Sequence, residues 1–403
     1  MKALIIGGGV AGPVTAMALE RAGIDASIYE AHQQTTRDVG SYLTVATNGL
    51  DALSALDVLS PVLHASFPTP RTVMLSGSGK HLGTVAIGST IEERLVSRTI
   101  RRAHLHRVLH GLAVERGVDI HYGKRLMAAE PTPQGIVARF DDGTTASGDL
   151  LIGCDGVQSA TRRLIDPQAP APRYVGLLNF GGYTPGMTVA PQGEWHMIFG
   201  KRAFFGYVTD PAGGTVWFAN VPRHRTTAEE RASTSAEEWK GWLIGRFAGD
   251  RGPAAALITA GRLELAGDNT HDLPSVPTWH RASMIVIGDA AHAPSPSSGQ
   301  GASMAIEDAV VLGKCLRDSG DLPSAFVAFE HLRRSRVERI VANGARSSSA
   351  KTPGRVGRML RDLLMPVVFR YLVTEKAMAW MYTHHIDWDA RSSHPAVLQV
   401  MRK

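Results

Sequence analysis

Short apolar runs that stop at a glycine mark this chain in three places. Residues 3–6 (ALII) run into Gly7-Gly8-Gly9, 150–152 (LLI) into Gly153, and 284–287 (MIVI) into Gly288. Runs this short and unbroken predict strands buried on both faces. Elsewhere apolar positions return every three or four residues. That period predicts helices over 13–22, 50–59, 98–116, 228–247, 301–316, 324–347 and 355–382. In 98–116, for example, Ile100, Leu105, Val108, Leu109 and Leu112 share one face. A third texture consists of short alternating runs between turn residues. It predicts hairpin strands within 61–90, strands over 118–122, 126–132 and 135–140, and an Asp142-Gly143 turn. From 174 to 222 it predicts an antiparallel sheet of strands 176–183, 195–199, 203–209 and 215–221, and a short strand holds Leu263 and Leu265. The aromatics Trp195, Phe199, Phe204, Phe205, Tyr207 and Trp217 on this sheet are expected mostly in its core. A polar turn is expected over 32–38.

The first thirty residues hold the most specific pattern. Gly7, Gly9 and Gly12 satisfy G-x-G-x-x-G between a strand and a helix that has Pro13 in its first turn and Gly23 at its end. A second strand, 26–29, ends at Glu30, about 20 residues beyond the glycines. Gly7 allows the tight turn, Gly9 lets a pyrophosphate meet bare backbone, and Gly12 lets helix and strand pack closely. The helix start offers N–H groups and a positive dipole to phosphate, and Glu30 can accept from ribose hydroxyls. Strand, glycines, helix, strand and acid in this order point to a dinucleotide, FAD or NAD.

Composition narrows the picture only slightly. With 403 residues, 44% hydrophobic and 20% charged, the chain is long enough for two domains. Cys154 and Cys315 form no disulfide framework and no metal spacing, and His384-His385 has no ligand cluster around it, so no metal is expected. Two cysteines fit a reducing, cytoplasmic setting. No signal peptide and no bilayer-spanning run are expected. The formal charge of +6 is spread along the chain rather than gathered in a tail, so nucleic acid is not expected as a partner.

Two further glycine motifs complete the pattern: Gly153-Cys154-Asp155-Gly156 and Gly288-Asp289-Ala290-Ala291-His292-Ala293-Pro294-Ser295-Pro296-Ser297-Ser298-Gly299-Gln300-Gly301-Ala302. Each follows an apolar strand and opens a helix. With these three signatures in this order, over roughly residues 1–340, the chain resembles the FAD-dependent class A aromatic hydroxylases. That group includes p-hydroxybenzoate hydroxylase, salicylate hydroxylase and the tetracycline-inactivating monooxygenases. The resemblance implies an α/β fold: a Rossmann-like FAD-binding domain, an inserted, mostly antiparallel substrate domain and a C-terminal helical segment. The expected division is 1–70, 98–170 and 280–345 for the first, 71–97 and 171–279 for the second, and 346–403 for the third.

The resemblance also implies a site. Gly7, Gly9, Val10, Ala11 and Gly12 would surround the FAD pyrophosphate and Glu30 would hold the adenosine ribose. Arg102 would sit near the pyrophosphate and ribityl chain, and the Leu126 backbone near adenine. Asp155 matches an aspartate associated with FAD and nicotinamide binding, and Asp289 one that takes a ribityl hydroxyl. Pro296 would lie beside the isoalloxazine, and Gly299, Gln300, Gly301 and Ala302 would wrap its pyrimidine edge. His292 is read as structural, Cys154 as a small buried residue, and no substrate-activating base is assigned. Ser303, Pro294, Ser297 and Ser298 depart from the residues common in relatives, which leaves the substrate type open.

The implied activity is NAD(P)H- and O2-dependent hydroxylation of an aromatic or polyketide-like small molecule through a flavin C4a-hydroperoxide. No second Rossmann motif is present for the nicotinamide, so NADH or NADPH would dock transiently. A monomer or homodimer is expected. The alternatives are an FAD oxidoreductase of the same fold that inserts no oxygen, and a non-catalytic FAD- or ligand-binding protein. A flavin halogenase would carry a W-x-W-x-I-P motif, which is missing here.

Overall fold

The three apolar runs become neighbours. In the computed structural model, which describes residues 1–33, 41–88, 95–349 and 355–392, they are adjacent parallel strands of one sheet. The sheet has six strands in the order His280–Arg281, Met284–Val286, Leu150–Gly153, Lys2–Ile6, Asp25–Glu30 and Asp119–Tyr122. All pair in parallel except the short edge strand His280–Arg281. Ile6 is in register with Gly153, and Gly153 with Val286. Side chains such as Leu4, Ile5, Leu151 and Ile285 are fully buried, because helices cover one face and a three-stranded sheet the other. That smaller sheet holds the predicted strands Leu126–Thr132 and Gly135–Phe140, and adds Thr145–Gly148, too polar to be foreseen.

On the helical face, Ala11–Arg21 lies against the long helix Gly301–Asp318. The approach is close at Gly313, where a Cβ would sit 2.9 Å from the Cβ of Ala18. The longer helix Leu322–Ser349 packs behind it.

The second large sheet has seven strands: Arg262–Asp272, Arg173–Pro185, Gly214–Pro222, Phe204–Asp210, Glu194–Phe199, Arg71–Ser76 and His81–Ala86. Only Glu194–Phe199 and Arg71–Ser76 pair in parallel. Helices Ala236–Phe247 and Ala254–Ala260 cover one face, burying Phe180, Phe205, Trp217 and Trp239. The other face carries Trp195, Val208 and Val216, with Tyr42, Phe67, Tyr183 and Phe218 packed on them. All six aromatics expected mostly in the core, Trp195, Phe199, Phe204, Phe205, Tyr207 and Trp217, are buried.

Four element boundaries differ from expectation, each for a local reason. Residues 98–116 open as a strand, Arg98–Arg101, because these residues pair with Tyr42–Val45; the helix starts only at Arg102. Residues 228–247 form two helices, Ala228–Ser233 and Ala236–Phe247. Ser235 and Glu238 form a capping box that starts the second. Residues 50–59 shift to Thr47–Ser54, then turn at Asp57 (φ +60°) into Leu59–His64. Residues 355–382 break into Arg355–Tyr371 and Glu375–Tyr382, the latter capped by Thr374. The strand around Leu263 and Leu265 is longer than expected, Arg262–Asp272. The expected polar turn lies outside the described residues from position 34 onward, as does the tail beyond 392. Among the described residues no helix is long and apolar enough to cross a membrane.

Candidate active site

The register of the three strands brings all three glycine motifs to one edge of the sheet, at the strands' carboxyl ends. In an open parallel sheet, that is where the crevice between diverging connections lies. At Gly7 the chain turns with φ +102°, and a Cβ there would meet the Cys154 carbonyl at 2.5 Å. At Gly12 a Cβ would meet the Gly7 carbonyl at 2.1 Å. Gly9 differs: a Cβ there would touch nothing within 4 Å, and the residue is exposed. Two of the glycines are therefore needed by the turn, and the third presents bare backbone to open space. Val10, Ala11 and Gly12 then form the start of helix Ala11–Arg21, which no side chain caps.

Glu30 reaches back to this turn. Its Oε2 accepts from the Gly8 amide at 2.7 Å, and its Oε1 from the His32 amide at 2.9 Å. Burial alone would raise its pKa; these donations outweigh it and hold the carboxyl below its ordinary value. The Gly8 carbonyl is gripped from the other side. Both His106 Nε2 (2.9 Å) and His110 Nε2 contact it, and the two rings stack with centroids 3.9 Å apart. This histidine pair was missed in the sequence; its signal was an i, i+4 pair on the helix that begins at Arg102. Leu126 is buried where its strand starts, close to Glu30, since the Lys124 amide donates to the Glu30 carbonyl at 2.8 Å.

Arg102 and Asp289 share the cleft. Arg102 is exposed at the start of its helix, and its charge acts on Asp289. Asp289 is water-accessible yet set deep enough that burial raises its pKa, against the lowering effect of His292 and Arg102. Asp155 is turned elsewhere: its oxygens accept from the Ser159 hydroxyl (2.5 Å) and from the Thr161 amide (2.9 Å) and hydroxyl (3.0 Å), so it anchors the short helix Ala160–Ile165.

The third motif bends at Gly288 (φ +58°) and again at Gly299 (φ +62°). Pro296 and Gly299 are exposed, Gly301 and Ala302 half-buried, and Gln300 fully buried. Helix Gly301–Asp318 starts here, and again no side chain caps it. A Cβ on Gly301 would lie 3.8 Å from Asp289 Oδ1, so this uncapped start faces the same carboxylate. Ser303 is directed inward: its hydroxyl accepts from the Ala46 amide at 3.0 Å and lies against Gly49.

Behind the third motif lies a buried charged network that the sequence pattern did not reveal. The Asn48 amide donates to Gln300 Oε1 (3.0 Å) and to Glu307 Oε1 (2.6 Å). Glu307 is 2.6 Å from Arg333 and takes two hydrogen bonds from Arg336, at 2.7 and 2.9 Å. Asp308 accepts from Arg333 Nε (2.7 Å) and the Gly288 amide (2.9 Å), and lies 2.5 Å from His292 Nε2. Burial pushes both carboxyls up, but the surrounding cations and donors prevail and hold each at about 2. His292 is thus spent inside the protein, as its structural reading expected. Cys154 is also buried, and burial pushes its thiol pKa up. Among the described residues no group of His, Cys, Asp or Glu is arranged to hold a metal.

Comparison with known proteins places this geometry. The model of an FAD binding domain matches residues 1–343. The FAD-dependent urate hydroxylase of Klebsiella pneumoniae is 32% identical over 351 residues, covering 85% of this chain and 88% of that protein. The aurachin C monooxygenase/isomerase of Stigmatella aurantiaca is 29% identical over 389 residues, 96% of each. The crystal structure of Klebsiella pneumoniae HpxO complexed with FAD and uric acid superposes with a TM-score of 0.81 at 26% identity, over 94% of this chain and 97% of that one.

Proposed function

The chain belongs to the FAD binding domain family, among its group A flavin-dependent monooxygenases, and on that footing we propose that it uses NADH or NADPH and O2 to hydroxylate a small aromatic or polyketide-like molecule. The observation that carries the reading is the convergence of three glycine motifs on one cleft, at the ends of three neighbouring parallel strands. The residues there suit FAD. Gly9 offers bare backbone next to an uncapped helix start, which favours a pyrophosphate. Glu30 keeps its negative charge and can still accept from a ribose hydroxyl. Arg102 lends positive charge to the middle of the cleft, and Asp289 accepts from a polyol chain. The segment from Pro296 to Ala302 leads into a second uncapped helix start, whose N–H groups favour negative charge on a flat ring held there.

Bound FAD supplies hydride acceptance and O2 activation, chemistry that no amino-acid side chain offers. The chain's part is to bind, orient and exclude water. Asn48 fixes the Gln300 side chain, and the Gln300 backbone amide donates to the Ser298 hydroxyl at 3.1 Å within the turn before the helix. Segments 71–97 and 171–279 bear the substrate side in this proposal. The aromatic face with Phe67, Tyr183, Trp195 and Phe218 suits a flat, apolar ring and keeps water out. The names of two relatives, for urate and for aurachin C, support testing such molecules first. Two buried cysteines without a disulfide suit work in the cytoplasm.

The test is direct. The purified protein should show a flavin absorbance spectrum and oxidise NADH or NADPH faster when urate, aurachin C or a simple phenol is added. Product carrying oxygen-18 from labelled O2 supports hydroxylation. Nicotinamide oxidation with no labelled product from any substrate favours the oxidoreductase alternative. A protein that takes up no FAD, even when FAD is added, overturns the reading.

A further inference from the structure

Half of the large apolar side chains exposed in the described residues are gathered on one element. Met359, Leu360, Leu363, Leu364, Val367 and Tyr371 all lie on helix Arg355–Tyr371, and Leu372 follows at its end. Met359 is 77% exposed and Leu363 65%. The spacing 359, 363, 367, 371, with 360 and 364 alongside, places them in one stripe.

The helix is nevertheless firmly seated. On its opposite side Met365 and Phe369 pack on Leu82, Phe199 and Phe204, and a Cβ on Gly83 would meet Phe369 at 2.5 Å. Arg361 is buried and donates to the Phe199 carbonyl at 3.2 Å. The stripe is thus the outward side of a docked helix.

A basic rim adjoins it. Three turns meet at the same end of the seven-stranded sheet: the Gly77 amide donates to the Phe199 carbonyl (2.9 Å), and the Arg251 amide to the Gly77 carbonyl (2.8 Å). They carry Lys80, Lys201, Arg202 and Arg251, all exposed. Lys80 Nζ donates to the Asp362 carbonyl on the helix itself, at 3.0 Å. The carboxylates nearby are engaged: Asp250 accepts from the Lys201 amide at 3.0 Å, and Asp362 is paired with Arg361 at 2.9 Å.

We propose that this face docks on an anionic lipid bilayer, the helix lying in the plane of the interface with its apolar stripe among the acyl chains and the basic rim on the headgroups. An exposed apolar stripe beside clustered cations is the signature of an interfacial helix, and anionic headgroups complement that rim. A second copy of the chain fits less well. A two-fold contact through the same patch would add a second set of cations to the interface, whereas anionic headgroups would neutralise the first. The inference does not rest on the proposed reaction.

The experiment is co-sedimentation of the flavin-loaded protein with vesicles of equimolar phosphatidylglycerol and phosphatidylcholine, and with vesicles of phosphatidylcholine alone. Binding should be about tenfold stronger to the anionic vesicles and should weaken as salt rises. L363E/L364E should lower that binding about tenfold or more while leaving the flavin spectrum unchanged. K80E/R251E should remove most of the preference for anionic lipid. Equal binding to both vesicles, no binding, or binding unaffected by L363E/L364E would overturn the proposal. So would a lipid-free dimer, seen by light scattering, that L363E/L364E dissolves; it would assign the face to a second copy.

Discussion

Asp308 shows how much one buried carboxylate can hold. It faces Arg333, His292 and the Gly288 amide, and so connects helix Leu322–Ser349 to the bend of the third motif. Asp308→Asn leaves Arg333 buried without its full counter-charge, and should cost about 3–5 kcal/mol in denaturant unfolding. The same network sets an acid limit. Glu307 and Asp308, held at about 2, contribute stability that is complete above the ordinary carboxylate range and is lost as pH falls from about 4 toward 2. His384 adds an earlier step. Burial pushes it down to about 4, so the folded state declines a proton that the unfolded chain accepts, and stability falls between about pH 6.5 and 4. Thermal unfolding followed across pH should show both windows, and His384→Phe should flatten only the first. A midpoint that stays constant from pH 6.5 to 4 would contradict this. None of these roles was legible in the sequence. Glu307 and Asp308 stand out there only as an acid pair inside an apolar helix, and nothing along the chain names Arg333 as their partner.

At the scale of the element, the opening strand–turn–helix unit was read nearly whole from the sequence. Its information is local: glycine permits backbone conformations and close approaches that other residues do not. The unit gives a sharp prediction. Gly12→Ala places a Cβ 2.1 Å from the Gly7 carbonyl, a backbone atom that cannot swing aside. The variant should be purified with little flavin, measured as the ratio of flavin to protein absorbance; full occupancy would contradict the role given to this turn. Elements set by distant pairing were read less well. Arg98–Arg101 carried the period of the helix that follows it, yet pairing with Tyr42–Val45 makes it a strand. Ser235 is the reverse case, a local start signal hidden within a longer apolar period. Ser235→Ala should cost about 1 kcal/mol in stability, measured by denaturant titration.

At the scale of the whole molecule, the C-terminal segment is wrapped back onto the first large sheet's helices. Arg336 donates to the carbonyls of Trp380 (2.7 Å) and Met381 (2.8 Å) while it holds Glu307. Lys314 is surrounded by the carbonyls of Asp387, Trp388 and Ala390. The Trp388 ring lies between Arg21 and Arg317, with cation-to-ring distances of 5.4 and 4.9 Å. Trp388→Ala should therefore cost about 3–5 kcal/mol in denaturant unfolding. A loss below 1 kcal/mol would mean that the segment is only loosely attached. The sequence by itself determined the α/β class, the three glycine motifs and the antiparallel texture of the middle region, because each is encoded by residues close together in the chain. Only the tertiary structure decided which strands stand side by side and that His106 and His110 close on the Gly8 carbonyl. It alone joined Asn48, Glu307 and Arg336 behind Gln300. Those facts depend on contacts between residues well separated along the chain, by 259 positions for Asn48 and Glu307, and burial, which sets both packing and charge, is a property of the assembled fold.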